Sequence, residues 1–353
     1  MTNRNIASER ITKNQLAIAE LVTKIHFEEK PELEIRFGKI GREKSIQDVV
    51  FHVSYLSESI RAESDEIFNS YITWANSVLQ SRNVPTNILI ENLTLLDSAC
   101  KKILQNEDYK FATHYITNGI QELQNVKQFP ESYLTNMNPL LNEAKQYLSF
   151  LLEGNRKNAQ LLINKLIEKK HAIPEIFEHI FQATQQEVGL LWQTNKISVA
   201  HEHYCTAATQ QIMSSLYRQI FNSTKKHNKM LACTVSGDLH EMGIRMVSDI
   251  FELNGWDTYY LGANMPDINI ISAIKEQNSD VLALSVTMPF HLNKAESLIQ
   301  KIRIDKELEK LKIILGGYIF NIDTSLWKKL GADGMAHNFN DAVILANQLI
   351  KQH

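Results

Sequence analysis

The sequence is short of the residues that stiffen or cross-link small folds. Cysteine occurs three times in 353 residues, at Cys100, Cys205 and Cys233. That spacing has no CxxC pair, which excludes a disulfide framework and a thiolate metal cage. There are only 13 glycines and seven prolines, so neither a low-complexity nor a Pro/Gly-rich disordered chain fits. A run of 18 or more apolar residues, the usual mark of a membrane-spanning helix, is missing. The opening "MTNRNIASERITKNQ" is polar and lacks the apolar core of a secretory signal. Thirty-seven basic residues against 40 acidic ones leave a formal charge of -3, which gives no basic footprint for nucleic acid. A cytoplasmic, reduced location is expected.

What the chain does have falls into two patterns. Up to about residue 225 the apolar residues recur at three and four, as on amphipathic helices. In "VVFHVSYLSESIRAESDEIFNSYITWANSVLQ" (49–80), Phe51, Tyr55 and Leu56, then Phe68, Tyr71 and Ile72, lie at helical intervals. A further helix opens behind Pro85, and "NPLLNEAKQYLSFLLEGNRKNAQLLINKLIEK" reads as two helices joined at Gly154-Asn155. After the polar stretch "NSTKKHNK" (222–229), short apolar runs alternate with helical segments: "MLACTVS", "DTYYLG", "DVLALSV", "KIILGG" and a weaker "DGMAHNF". Strands separated by helices imply right-handed crossovers and a parallel sheet. The expected fold is α + α/β: an N-terminal helical domain (1–135), a four-helix bundle (136–226) and a flavodoxin-like, doubly wound, five-stranded parallel domain (227–353). Ligands of such sheets sit outside the carboxyl ends of the strands.

"SGDLHEMGIRMV" (236–247) follows the first strand and opens a helix, so Asp238 and His240 project from a loop at that edge. Asp238 is spaced to accept a hydrogen bond from one imidazole nitrogen, leaving the other as a metal donor. Gly243 removes a Cβ from the first helical turn. One histidine and one carboxylate are too few for a caged zinc ion, which wants three or four ligands. A metal carrying its own equatorial ligands needs only one axial donor. A surface or capping histidine is the plainer alternative.

"DLHEMG" resembles the Asp-x-His-x-x-Gly signature of cobalamin-binding domains. The resemblance implies that His240 takes the lower axial position on cobalt in place of the cofactor's own benzimidazole. It further implies that the displaced nucleotide tail runs between Ser285 and Thr287 of "LSVT" and Gly316 and Gly317 of "LGG". Upstream, Trp192 is followed after nine residues by Glu202-His203. This resembles the pattern of light-sensing adenosylcobalamin proteins related to MerR-type repressors. It implies a tryptophan over the upper face and His203 as upper axial ligand after photolysis, with His201 as alternative donor. The N-terminal region shows no basic recognition helix, so direct DNA binding is not expected. That region looks more like the leading segment of photocobilins, with His52, Tyr55, Tyr71 and Trp74 as candidates to flank biliverdin or another bilin. Cys100 is its only thiol, and a helical dimerisation or docking module is the alternative. The sequence reading is therefore a non-enzymatic, homo-oligomeric photoreceptor signalling to an unknown protein. The competing readings are a corrinoid carrier of a methyltransferase system and a mutase-type domain, the latter without a substrate barrel.

Overall fold

The computed structural model describes residues 3–125, 130–221, 224–225 and 227–351. The chain separates into two compact units, Met1–Gln128 and Phe129–His353. The first holds α1 (Asn3–Lys13), α2 (Gln15–Glu29), α3 (Pro31–Ala62), α4 (Asp65–Gln80), α5 (Thr86–Ile103) and α6 (Asn106–Asn125). Pro31 starts α3 with Glu32 and Glu34 in its first turn, where the helix dipole favours negative charge. The chain leaves α3 through Glu63 in the left-handed region, and α4 runs on behind Ser64.

Burial on α3 follows Val49, Val53, Leu56 and Ile60, each 0% exposed. Phe51, one of the expected inward residues, is instead 54% exposed. It lies two positions from both Val49 and Val53, which turns it away from the buried stripe. The aromatic group on α3 and α4 packs on itself. The Tyr55 and Tyr71 rings stack at 3.7 Å, and His52 Nδ1 lies 2.9 Å from the Tyr71 hydroxyl. Trp74 stands next to Tyr71 at the partly exposed end. Cys100 is buried, and burial pushes its thiol up to about 12, so it offers no thiolate for covalent attachment.

Burial holds His52 neutral, with its pKa lowered from 6.5 to about 4. The unfolded chain takes up this proton more readily, so stability is lost as pH falls through that window. The span corresponds to about 3 kcal/mol once the pH is below both values. Protection factors of the α3 and α4 amides, which allow for the intrinsic slowing of exchange in acid, should therefore fall between pH 6.5 and 4. His52→Leu should reduce that dependence; His26, which burial shifts the same way, and Asp48, whose carboxyl burial shifts up with the opposite effect on stability, remain. An unchanged slope in the variant would contradict the assignment.

The second unit opens with a helical bundle: α7 (Leu141–Leu152), α8 (Arg156–Glu168), α9 (Ile173–Ile176), α10 (Ala183–Gln193) and α11 (Val199–Ser214). A π-helical segment, Phe177–Gln182, joins α9 to α10 without a break, so the bundle has four rods. Gly154-Asn155 does separate α7 from α8, the Asn155 side chain accepting from the Asn158 amide. The short α12 (Tyr217–Ile220) leads to the sheet.

The sheet then alternates with helices: β1 (Lys229–Val235), α13 (Met242–Leu253), β2 (Asp257–Met265), α14 (Asp267–Gln277), β3 (Val281–Ser285), α15 (Leu292–Ile304), β4 (Lys312–Gly316), α16 (Tyr318–Ile322), α17 (Leu326–Leu330), β5 (Gly334–Met335) and α18 (Phe339–Lys351). All pairings are parallel, in the order β2-β1-β3-β4-β5. β3 is buried throughout and β1 nearly so, as parallel strands covered on both faces must be. One apolar cluster runs from Tyr147, Phe177 and Phe181 of the bundle to Phe251, Trp256 and Phe339 of the sheet layer. Leu134 belongs to the same cluster, and the Ser132 hydroxyl and Tyr133 amide both donate to Glu187. No described helix is long and apolar enough to cross a membrane.

Candidate functional site

β1 delivers the chain to the carboxyl edge at Val235, and Gly237 (φ +90°) makes the turn. Backbone groups pin the loop beyond it. The Asp238 carbonyl accepts from the Thr234 hydroxyl at 2.6 Å and the Asn264 amide at 3.0 Å. The Gly237 amide donates to Asn264 Oδ1 at 2.7 Å. Asp238 is thereby held fully buried while His240, two residues on, keeps 60% of its side chain exposed.

The Asp238 carboxylate accepts from three groups. Oδ1 accepts from the His240 amide at 3.0 Å and lies 2.8 Å from His240 Nδ1. Oδ2 accepts from the Thr287 amide at 2.6 Å. Burial alone would raise its pKa, but His240, the nearby His291 ring and the Thr287 amide together overcome this and hold it well below the usual carboxylate range. An ionised carboxylate only accepts, so Nδ1 of His240 carries the proton and the Nε2 lone pair is free to ligate. The sequence expected this pairing, and the geometry contains it.

The other expected residues of the sheet edge sit on adjacent strands. Thr234, Ser285 and Gly316 are in register across β1, β3 and β4. Ser285 is buried, and Thr287 contributes its backbone amide to Asp238. Gly317 has a reason of its own: at φ +108°, a Cβ would lie 2.2 Å from the Val286 carbonyl oxygen. Its missing side chain is dictated by the protein backbone, whatever else lies nearby. Gly243 and Gly316 differ, since a Cβ would meet nothing within 4 Å at the first and only Ala336 O at 3.7 Å at the second. Packing does not require glycine at either, so room is left beside the His240 loop. Among the described residues no group of three or more His, Cys, Asp or Glu could cage a metal ion. A single supported imidazole beside open space fits a metal that brings its own equatorial ring.

At the bundle end, Trp192 closes α10 half-buried and outside the apolar cluster. Glu202 and His203 lie in the first turn of α11, hydrogen-bonded to each other, with His203 77% exposed. His201 is tied to Ser198, the N-cap of α11, at 2.8 Å. Farther along the helix, Gln210 Nε2 donates to Glu241 Oε1 at 3.0 Å, and the Tyr260 hydroxyl donates to Oε2 at 3.0 Å. Eight residues, about 12 Å of helix, thus separate Glu202 from the residue that touches the His240 loop. A cavity of about 480 Å³ lies elsewhere, among Lys275, Asp280 and Lys312 where β3 and β4 begin. It holds none of the expected site residues.

Three residues escaped the sequence reading. Asn264 adopts φ +55° to reach Gly237, Glu241 bridges α11 and β2, and His291 sits 3.7 Å from Asp238 Oδ2. Only Asn264 carried a local hint, since asparagine tolerates the left-handed region. The other two act on partners far away in sequence.

Residues 228–344 match the B12 binding domain, and residues 143–217 match a second B12 binding domain family. The second unit belongs to the B12-binding family. Dimethylamine corrinoid protein 1 of Methanosarcina mazei is 27% identical over 211 residues, 59% of this chain and 96% of that protein. The dimethylamine corrinoid protein of Methanosarcina barkeri is 26% identical, covering 59% of this chain and 98% of that protein. The monomethylamine corrinoid protein structure from Methanosarcina barkeri superposes with a TM-score of 0.54 at 17% identity, over 60% of this chain and 99% of that one. That likeness establishes the shared fold of the B12-binding unit. These names speak of corrinoid proteins, whereas the sequence pattern placed a photoreceptor first and a corrinoid carrier second. The relatives reverse that order.

Proposed function

We propose that this protein is a corrinoid carrier of a methyltransferase system, holding the corrinoid on His240 and presenting it to partner proteins. The single observation that carries the reading is the buried, ionised Asp238 hydrogen-bonded to an exposed His240 at the carboxyl edge of a B12-binding unit. A cobalt corrinoid bound there supplies a metal centre that can accept and give up a methyl group. The chain's own residues do the rest. Asp238 fixes the ring and tautomer of His240, and Ser285, Thr287, Gly316 and Gly317 line the strand ends where the nucleotide tail would enter. Gly243 leaves the first turn of α13 open. In this proposal residues 136–226 cover the cofactor, residues 227–353 hold it, and residues 1–135 serve as a helical docking or dimerisation module.

Asp238→Asn tests the support. Its amide group must turn NH2 toward either the Thr287 amide or the His240 ring, so one contact becomes a clash of donors. Affinity for hydroxocobalamin in equilibrium dialysis is expected to fall about 10–100-fold, the usual cost of losing an outer partner of a metal ligand. Wild-type affinity would contradict the role.

A second reading keeps one specific observation. Trp192, Glu202 and His203 stand outside the bundle core, as a light sensor with an adenosylcobalamin lid would need. The two readings part on illumination. A carrier loaded with adenosylcobalamin shows the same oligomeric state in darkness and after green light, and Trp192→Ala leaves its cofactor retention unchanged. A sensor changes assembly with light, and Trp192→Ala releases adenosylcobalamin while retaining hydroxocobalamin. A bilin in the first unit has less support: His52, Tyr55 and Tyr71 already satisfy and stack on one another. Mixing apoprotein with biliverdin and finding no far-red band would remove it.

A further inference from the structure

We propose that the exposed face of α3 pairs two copies of this chain, antiparallel across a two-fold axis. The inference deepens the reading of residues 1–135 as a docking or dimerisation module and does not depend on what His240 binds. The first unit lies outside both segments that match B12 binding domains, residues 143–217 and 228–344. Holding a corrinoid therefore does not account for its surfaces.

α3 breaks at Gly38 (φ 56°) and is helical from there to Ala62. Val49, Val53, Leu56 and Ile60 turn one side of it into the core. On the opposite side Ile40 is 68% exposed and Phe51 54%. Ile40, Lys44, Gln47 and Phe51 recur at four, three and four, so they form one stripe about 16 Å long. Lys44 and Asp48 follow one flank of the stripe, and Glu43 and Gln47 follow the other; all four are exposed. Gln15 of α2 accepts from the Ser54 hydroxyl at 3.4 Å, which brings its exposed neighbour Leu16 to the Phe51 end.

The order of these residues selects the partner. A two-fold interface must be complementary to itself. When two copies of the stripe run antiparallel, like flanks face each other. Ile40 then meets Phe51 of the second copy, Lys44 meets its Asp48, and Glu43 meets its Gln47. The three pairings share one centre, between Ser45 and Ile46, and the two-fold axis repeats each of them. Apolar contacts close both ends and ion pairs the middle, as charges do beside a coiled-coil seam. Glu43 also keeps Lys39 of its own chain, 3.9 Å away, so every charge on this face has a partner. Parallel pairing would leave Asp48 facing Gln47. A stripe of about three turns lies at the small end of specific interfaces, so a dimer that dissociates in the micromolar range is expected.

Sedimentation velocity of the full-length protein across the micromolar range is the test. A concentration-dependent dimer is expected. Phe51→Glu and Ile40→Asp should each weaken it at least about tenfold, with an unchanged circular dichroism spectrum because both side chains are exposed. Lys44→Glu sets carboxylates against each other at two symmetric positions and should weaken the dimer about tenfold, as should Asp48→Lys. The double variant Lys44→Glu/Asp48→Lys exchanges the signs and should restore wild-type assembly. A protein that stays monomeric throughout, or a dimer indifferent to Phe51→Glu, overturns the proposal. Failure of the double variant to restore assembly overturns the antiparallel pairing. Hydroxocobalamin affinity should match wild type in every variant. A failed carrier reading shows as absent hydroxocobalamin binding by the wild type, and a failed interface shows only in sedimentation.

Discussion

Gly317→Ala is expected to destabilise the second unit by about 3 kcal/mol or more, or to prevent it folding. A φ of +108° with ψ of 168° belongs to a region that only glycine visits readily, and strain there costs on the order of 1–3 kcal/mol. The added Cβ also lands 2.2 Å from the Val286 carbonyl oxygen and 2.9 Å from its amide nitrogen. Both are backbone atoms at the end of β3, and the Val286 amide is bonded to the Gly316 carbonyl at 2.9 Å. Relief therefore requires prising β3 and β4 apart where the candidate site lies. Gly316→Ala is the matched control, because its Cβ meets ordinary contact distances. Urea unfolding of the two variants side by side should show a large loss for the first and a small one for the second. Equal stabilities would show that the strand ends are softer than the geometry implies. Because Gly317→Ala acts on the fold, cofactor loss in that variant says nothing about the groove. Gly316→Ala does probe it.

His240→Ala should have a different profile. The side chain is mostly exposed and outside the core, but its ring is a partner of the buried Asp238 carboxylate, so stability should fall by about 1–3 kcal/mol, less than in Gly317→Ala. Corrinoid binding should fall by more than the roughly 100-fold that bounds the loss of an outer partner, since the donor itself is gone. The spectrum of whatever remains bound should lack the histidine-ligated form. Asp238 loses its ring partner in the variant but keeps the Thr287 amide, so the loop has reason to stay in place. Unchanged affinity for hydroxocobalamin, measured with the intact fold verified by circular dichroism, would remove the assignment.

The fold was legible where periodicity is strong. β1, β3 and β4 are short apolar runs closed by turn residues, and even the two-residue β5 sits at "DGMAHNF". β2 was half legible. Its sequence reading stops at Gly262, yet the strand continues to Met265 through bulges, with Gly262 and Asn264 at positive φ. A residue that normally ends a strand here bends one. In the first unit the period identified the helices without fixing their faces. Phe51 is as apolar as Val53 but points to solvent, a choice made by neighbours distant in sequence.

The site divides the same way. Asp238 and His240 are two residues apart, so their contact is local and readable. The pairing of Asp238 with Thr287 spans 49 residues and a crossover, and His291 lies farther still. Gly317 was noticed for a ligand's sake, whereas Val286 already forbids any side chain there. Trp192, Glu202 and His203 carried a spacing that resembles light sensors, and that spacing outweighed everything else when read alone. The relatives, covering 59% of the chain at 26–27% identity, shift the weight to corrinoid proteins.

The most direct measurement is electron paramagnetic resonance of the protein loaded with cob(II)alamin, prepared with and without 15N-labelled histidine. Nitrogen bound axially to low-spin cobalt(II) splits each cobalt line, into triplets for 14N and doublets for 15N. The account predicts triplets in unlabelled protein that become doublets on labelling, and that vanish in His240→Ala. Triplets that persist in the labelled protein would mean that the cofactor keeps its own benzimidazole and that His240 is not the ligand.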